Sequence, residues 1–179
     1  MKTTGMVRRL DPLGRIVIPK EIRRVFRIGD GDLLELYTDN QGSIIFRKYS
    51  PLGEFVDLSK RICNSFAKAT DKIAVITDRD TVIAAAGKAD KAIADNEISA
   101  DLREIMEQRG TYTSDNKKAV YVTDRDTMHR VIIAVPILNA GDIVGCAVLI
   151  SKDETATWNE MDVMLAQLIA ELVRQQLDT

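Results

Sequence analysis

The sequence predicts an α+β chain in two domains: a small basic head over residues 1–50 and a larger acidic body over 55–179, joined by a linker at 51–54. Uneven charge is the first observation. Ten Lys and Arg face six Asp and Glu in residues 1–50, so the overall net charge of −2 averages a basic region with an acidic one. Short apolar runs bounded by Gly, Pro, Asn and Asp are the second, and they mark strands in both regions. The third is a set of apolar stripes at helical spacing. A length of 179 residues suits two small domains, and 45% hydrophobic residues are enough to fill a core.

Residues 4–10 read as a first strand, Asp11-Pro12-Leu13-Gly14 as a turn, and Arg15-Ile16-Val17-Ile18 as a second strand that Pro19 ends. Proline is tolerated at the first position of a helix, so a helix is predicted over 20–27. Ile22, Val25 and Phe26 share one face of it, and Arg23, Arg24 and Arg27 point elsewhere. Gly29-Asp30-Gly31-Asp32 and Asp39-Asn40-Gln41-Gly42 turn into strands at 33–38 and 43–49. A unit of about 50 residues buries too little surface to be comfortable alone, which predicts an intertwined homodimer.

The body begins with Phe55, Leu58, Ile62 and Phe66 on one stripe of a helix over 55–69. Strands are predicted at 73–77, 81–86, 119–123, 130–138 and 143–151, with a helix at 97–109 and a hairpin turn at Asn139-Ala140-Gly141-Asp142. A capping box from Thr157 to Glu160 opens the last helix, whose apolar face runs through Met161, Met164, Leu165, Leu168, Ile169 and Leu172. This order fits an antiparallel sheet flanked by helices. The terminal helices, 55–69 and 158–177, can pack together and leave apolar area for a partner subunit. If heads pair through one interface and bodies through another, a homotetramer follows.

Catalytic and metal chemistry find little support. Cys63 and Cys146 have no Cys or His at ligand spacing and read as buried reduced thiols. Thr-Asp-Arg-Asp-Thr occurs at 77–81 and again at 123–127, and Asp78, Asp80, Asp124 and Asp126 have the oxygen chemistry of a cation site. Asp and Thr are ordinary turn residues, and turn chemistry is the better account. His129, the one histidine, reads as a surface or turn residue with no nucleophile paired to it, so no enzyme activity, metal or cofactor is expected. The opening MKTTGMVRRLD lacks an apolar leader and no run approaches the ~20 apolar residues of a membrane span, so a cytoplasmic location without a membrane partner is expected.

Arginine clustering is the most informative feature. Arg8 and Arg9 lie on the first strand, Arg15 follows the turn, and Arg23, Arg24 and Arg27 lie on the helix, a set suited to phosphates and guanine edges. By itself such a set also suits the solvated face of a small domain; double-stranded DNA is the expected partner because of the pattern that accompanies it. The run from Thr4-Gly5-Met6-Val7-Arg8-Arg9-Leu10-Asp11 through Leu13-Gly14-Arg15-Ile16-Val17-Ile18-Pro19-Lys20-Glu21-Ile22-Arg23-Arg24, continuing to Phe46-Arg47-Lys48-Tyr49, closely resembles the AbrB family of transition-state regulators. That resemblance implies a swapped-hairpin β-barrel dimer in which Arg8, Arg15, Arg23 and Arg24 contact DNA, with Arg9 and Lys2 as auxiliary phosphate contacts. The body looks like a GAF domain, and the two-domain order is similar to that of AbrB-headed activators and repressors of sporulation genes. For the body, an unidentified small-molecule ligand is one expectation and a purely architectural role the other. The rival function is an AbrB-type antitoxin that controls its own promoter and neutralises a partner, although such a chain carries a disordered tail rather than an apolar-rich domain.

Overall fold

A computed structural model describes residues 5–70, 72–115 and 117–178. The chain divides into two compact units between Tyr49 and Ser50.

In the head, α1 (Lys20–Val25) follows Pro19, and β1 (Leu34–Thr38) pairs antiparallel with β2 (Ile44–Lys48), Leu36 opposite Phe46. The helix stops two residues short of the predicted Arg27. Arg27 takes φ 51°, and the Ile28 amide donates back to the Arg23 carbonyl at 2.7 Å, a left-handed closure that ends the helix. Asp39 organises the hairpin turn, its Oδ1 accepting from the amides of Gln41 and Ser43 at 2.9 and 2.8 Å. Lys48 ties β2 to the start of β1, donating to the Arg27 carbonyl at 3.1 Å and lying 3.3 Å from Asp32 Oδ2.

The strands predicted at 4–10 and 15–18 do not form among the described residues, 5–10 and 15–18; the turn between them is closed by hydrogen bonds from Asp11 N to Arg15 O and Gly14 N to Asp11 O, both at 3.0 Å. A strand needs a neighbouring ladder, and this chain supplies none here. Nor is the apolar face of α1 buried: Val25 and Phe26 are 73% and 60% exposed.

The body is a five-stranded antiparallel sheet of order β4-β3-β7-β6-β5, formed by β3 (Ile73–Asp78), β4 (Val82–Ala85), β5 (Tyr112–Thr113), β6 (Arg130–Asn139) and β7 (Asp142–Ser151). Side chains alternate across it, so Ala74, Ile76, Ala147 and Leu149 meet α2 (Val56–Ala69) and α5 (Glu160–Gln176) on one face. Val75, Cys146, Val148 and Ile150 meet α3 (Gly87–Ile93) and α4 (Ala100–Glu107) on the other. Cover on both faces explains why these strands are continuously apolar. At the β6–β7 turn Ala140 and Gly141 both have positive φ, 49° and 89°, the geometry of a tight two-residue hairpin.

Four details of the body differ from the sequence reading. The expected linker at 51–54 forms part of a 3-10 turn, Pro51–Phe55, and Leu52 is fully buried against the sheet core. Residues 119–123 form no strand, because their pairing is divided: Val120 O accepts from Val131, Val122 O accepts from Ser99, and only Tyr121 and Arg130 bridge. The helix predicted at 97–109 starts at Ala100, where Ser99 Oγ caps Leu102 N at 3.0 Å. The capping box of α5 is Asn159 with Asp162 rather than Thr157 with Glu160; the shift is fixed by Asp162, which also meets Lys72 Nζ at 3.1 Å. Sequence reasoning also missed α3 and the short β5.

Candidate nucleic-acid interface

The predicted arginines fall on two neighbouring pieces of the head. Arg8 and Arg9 are exposed on the segment before the turn, and Arg8 Nη1 donates to the Val7 carbonyl at 3.1 Å. Arg15 leaves the turn on its far side, 71% exposed. Asp11 governs that turn: Oδ1 accepts from the amides of Leu13 and Arg15 at 2.9 and 2.8 Å, and Oδ2 accepts from Arg15 Nε at 2.7 Å. The Arg15 amide above all, and then its side chain, hold the Asp11 carboxyl below the usual carboxylate range.

Arg23 and Arg24 are adjacent on α1, where Arg24 is exposed and Arg23 half-buried. Arg23 Nη1 pairs with Asp30 Oδ1 at 2.9 Å, across the loop that follows the helix. Lys2 lies outside the described residues. The carboxylate partners Asp11 and Asp30 were missed in the sequence, although an Asp four residues before Arg15 at a turn was a visible signal. Around the arginines lies apolar surface that one chain leaves open: Val7, Leu10, Leu13 and Val17 are 87%, 69%, 74% and 75% exposed.

A second open apolar surface runs along α5, where Met161, Met164, Leu168 and Leu172 are exposed at three-, four- and four-residue steps. Beside α4, a cleft of about 340 Å³ is lined by Asp101, Glu104, Ile105, Tyr112 and Asp115, with Lys118 paired to Asp101 at 2.8 Å.

The remaining candidate residues serve the fold. In the first Thr-Asp-Arg-Asp-Thr copy, Asp78 Oδ1 accepts from the amides of Asp80 and Thr81 at 2.8 and 2.6 Å, while Asp80 pairs with Arg103 at 2.8 Å. No group of three or more His, Cys, Asp or Glu suited to a metal occurs among the described residues. His129, expected at the surface or in a turn, lies in a turn and is buried. Its Nδ1 lies 2.5 Å from Asp126 Oδ2, in a turn that folds inward because the Asp126 amide donates to buried Thr123 at 3.3 Å. Both cysteines are buried and free, and burial pushes the Cys146 thiol up. Among the described residues no helix is long and apolar enough to cross a membrane.

Comparison with known proteins bears on both units. Residues 54–178 match the family described as stage V sporulation protein T C-terminal, transcription factor. Stage V sporulation protein T of Bacillus subtilis (strain 168) is 40% identical over 157 residues, covering 87% of this chain and 88% of that protein. This chain belongs to the stage V sporulation protein T family. Residues 7–53 match the antidote-toxin recognition MazE, bacterial antitoxin family. The transition state regulatory protein AbrB of the same organism is 53% identical over 51 residues, covering 28% of this chain and 52% of that protein. The GAF domain from an Acinetobacter phosphoenolpyruvate-protein phosphotransferase has a TM-score of 0.56 at 12% identity, covering 73% of this chain and 84% of that one. A free methionine-R-sulfoxide reductase from Thermoplasma acidophilum also scores 0.56 at 16% identity, covering 70% and 94%. At such low identity these two show a GAF-like fold for the body and nothing of its activity. The head is AbrB-type, and the family is one of transcription factors.

Proposed function

We propose that this chain is a DNA-binding regulator of sporulation genes, gripping duplex DNA through Arg8, Arg15, Arg23 and Arg24 of paired heads, with Arg9 and Lys2 adding phosphate contacts. The carrying observation is that the exposed arginines share the head with exposed Val7, Leu10, Val17, Val25 and Phe26. Such surface is covered when a second copy supplies the missing strand ladders, which is the swapped-hairpin arrangement. Cationic side chains on both copies then form one continuous surface. Most contacts go to phosphate and a few to base edges, so affinity falls steeply with salt and sequence preference follows DNA shape in part.

Bodies pairing through the open face of α5 would join two such dimers into a tetramer and set the spacing of the heads. A small molecule that favours one spacing couples to DNA affinity. A thermal-shift screen with metabolites tests that arm, and finding no stabilised species removes it. The antitoxin alternative is supported by the MazE match at residues 7–53, but a packed body in place of a disordered tail favours the regulator.

The deciding experiment measures DNA affinity across a salt series for the intact protein and for a variant with Arg8, Arg15, Arg23 and Arg24 all changed to Ala. A steep log-log slope that the variant loses while staying assembled supports the reading. Equal binding by both proteins, or no binding by either, overturns it.

A further inference from the structure

Asp11 does more than close a turn. One carboxylate oxygen holds the amides of Leu13 and Arg15 at 2.9 and 2.8 Å, and the other holds Arg15 Nε at 2.7 Å. The Asp11 amide donates to the Arg15 carbonyl at 3.0 Å, so the same residue fixes both the backbone of Arg15 and the near end of its guanidinium. Because the carboxylate takes Nε, the terminal Nη groups remain for an outside acceptor, and the Arg15 side chain is 71% exposed. The Arg23 pair differs: Asp30 is 98% exposed and reaches its arginine through Nη1, one of the terminal groups themselves.

Two opposing effects follow from a carboxylate in that place. Its negative charge weakens attraction to phosphates at every DNA sequence alike. Its hydrogen bonds preset an arginine that would otherwise surrender rotamer freedom on binding, and a preset fork rewards only those sites whose acceptors match it. Together they lower binding to arbitrary DNA and favour binding to matching DNA.

Resting on the DNA-binding reading above, we propose that Asp11 is a positioning residue for Arg15, and that it sets the ratio of sequence-selective to non-selective DNA binding. The selective partner is a short duplex whose phosphate or purine-edge acceptors meet the Nη groups of Arg15 as Asp11 aims them.

The test uses the full chain and two duplexes of equal length, one selected from a random pool by the intact protein and one of scrambled sequence. In Asp11→Asn the side-chain carbonyl can still accept from both turn amides, but its NH2 cannot accept from Nε. Its ratio of affinities is expected to fall about tenfold, from weaker binding to the selected duplex with equal or tighter binding to the scrambled one. Arg15→Lys has neither Nε nor a fork and is expected to lower the ratio by a similar factor, and the double variant to lose no more than either single one. A ratio within twofold of the intact protein for Asp11→Asn, or losses that multiply in the double variant, overturns the proposal. Should Asp11→Asn fail to assemble, Arg15→Lys decides, since an unchanged ratio there overturns it as well. If Arg15→Ala binds both duplexes like the intact protein, the DNA role of Arg15 itself has failed, a result distinct from failure at Asp11.

Discussion

Head and body differ in what a single chain can bury. Among the described residues, none from 5 to 49 is buried, while in the body both faces of the sheet are covered and Val75, Ile76, Leu149 and Ile150 are fully enclosed. Chain length does not explain this alone. The head has apolar residues in number, but its segments at 5–10 and 15–18 have no strand beside them in the same chain. A single chain therefore encloses the body's core, while the apolar surface of the head stays open to a second copy.

Gly145 offers the sharpest way to break the body alone. A Cβ there would stand 2.1 Å from the Thr77 carbonyl oxygen and 2.5 Å from Leu52 Cδ1, neither of which can withdraw without moving strand β3 or the turn that plugs the sheet. Gly145→Ala should destabilise the body by about 3–5 kcal/mol, read as a lowered denaturation midpoint at matched protein concentration. A loss below 1 kcal/mol would mean that β3 and β7 are not paired as described.

Phe26 offers the converse test. With 60% of its surface open in one chain, Phe26→Asp should be nearly neutral if the head is complete by itself. If a second copy covers it, dimerisation weakens by about 100-fold, ~2.7 kcal/mol, and DNA binding falls with it while the body's unfolding transition stays put. Sedimentation across a dilution series separates these outcomes.

That contrast also governs how much was legible in the sequence. The head's motif, its turns at Asp11 and Asp39 and the β1–β2 hairpin are local, so they could be read directly. What could not be read is whether alternation at 4–10 and 15–18 finds its ladder in the same chain, because pairing partners are not encoded locally. In the body, the long hairpin β6–β7 and the amphipathic helices α2 and α5 were recoverable from periodicity. Failures came where tertiary contacts overrode local signals. Ser50-Pro51-Leu52-Gly53 looks like a linker until Leu52 is seen over Gly145, Thr157 looks like a cap until Asp162 meets Lys72, and His129 looks exposed until Asp126 turns it inward. The arginines could be singled out by residue type, but the hydrogen bond from Arg15 Nε to Asp11 depends on how the turn closes and was not legible in the sequence.

Asp162 is a smaller lever on the body. It accepts from the Asn159 amide at 2.9 Å, receives Lys72 at 3.1 Å, and both charged side chains are largely enclosed. Asp162→Ala removes the carboxylate half of the capping box and the ion pair with Lys72, for a loss of about 2–3 kcal/mol. If the ion pair contributes, Asp162→Ala costs less in a Lys72→Met background than alone; chemical denaturation of the single and double variants measures that coupling. An equal cost in both backgrounds would assign the effect to the capping bond from the Asn159 amide.

The smallest effect expected lies at the far end of α5 and depends on pH. Arg174 binds Glu171 at 2.7 Å and Asp178 at 2.7 Å, and the Arg174 side chain, with Gln175 second, pulls the Glu171 carboxyl from its ordinary 4.5 down to about 2. A carboxylate with a lowered folded-state value stabilises above its unfolded value and loses that contribution as protons fill it. The stability difference between the intact protein and Glu171→Gln should therefore be level at neutral pH, shrink between about 4.5 and 2, and vanish below. All three groups are at the surface, so the difference should also shrink in high salt. A dependence of that difference on dilution would place the end of α5 at the subunit interface proposed for the open face of that helix, so that a second copy would complete the body as well as the head.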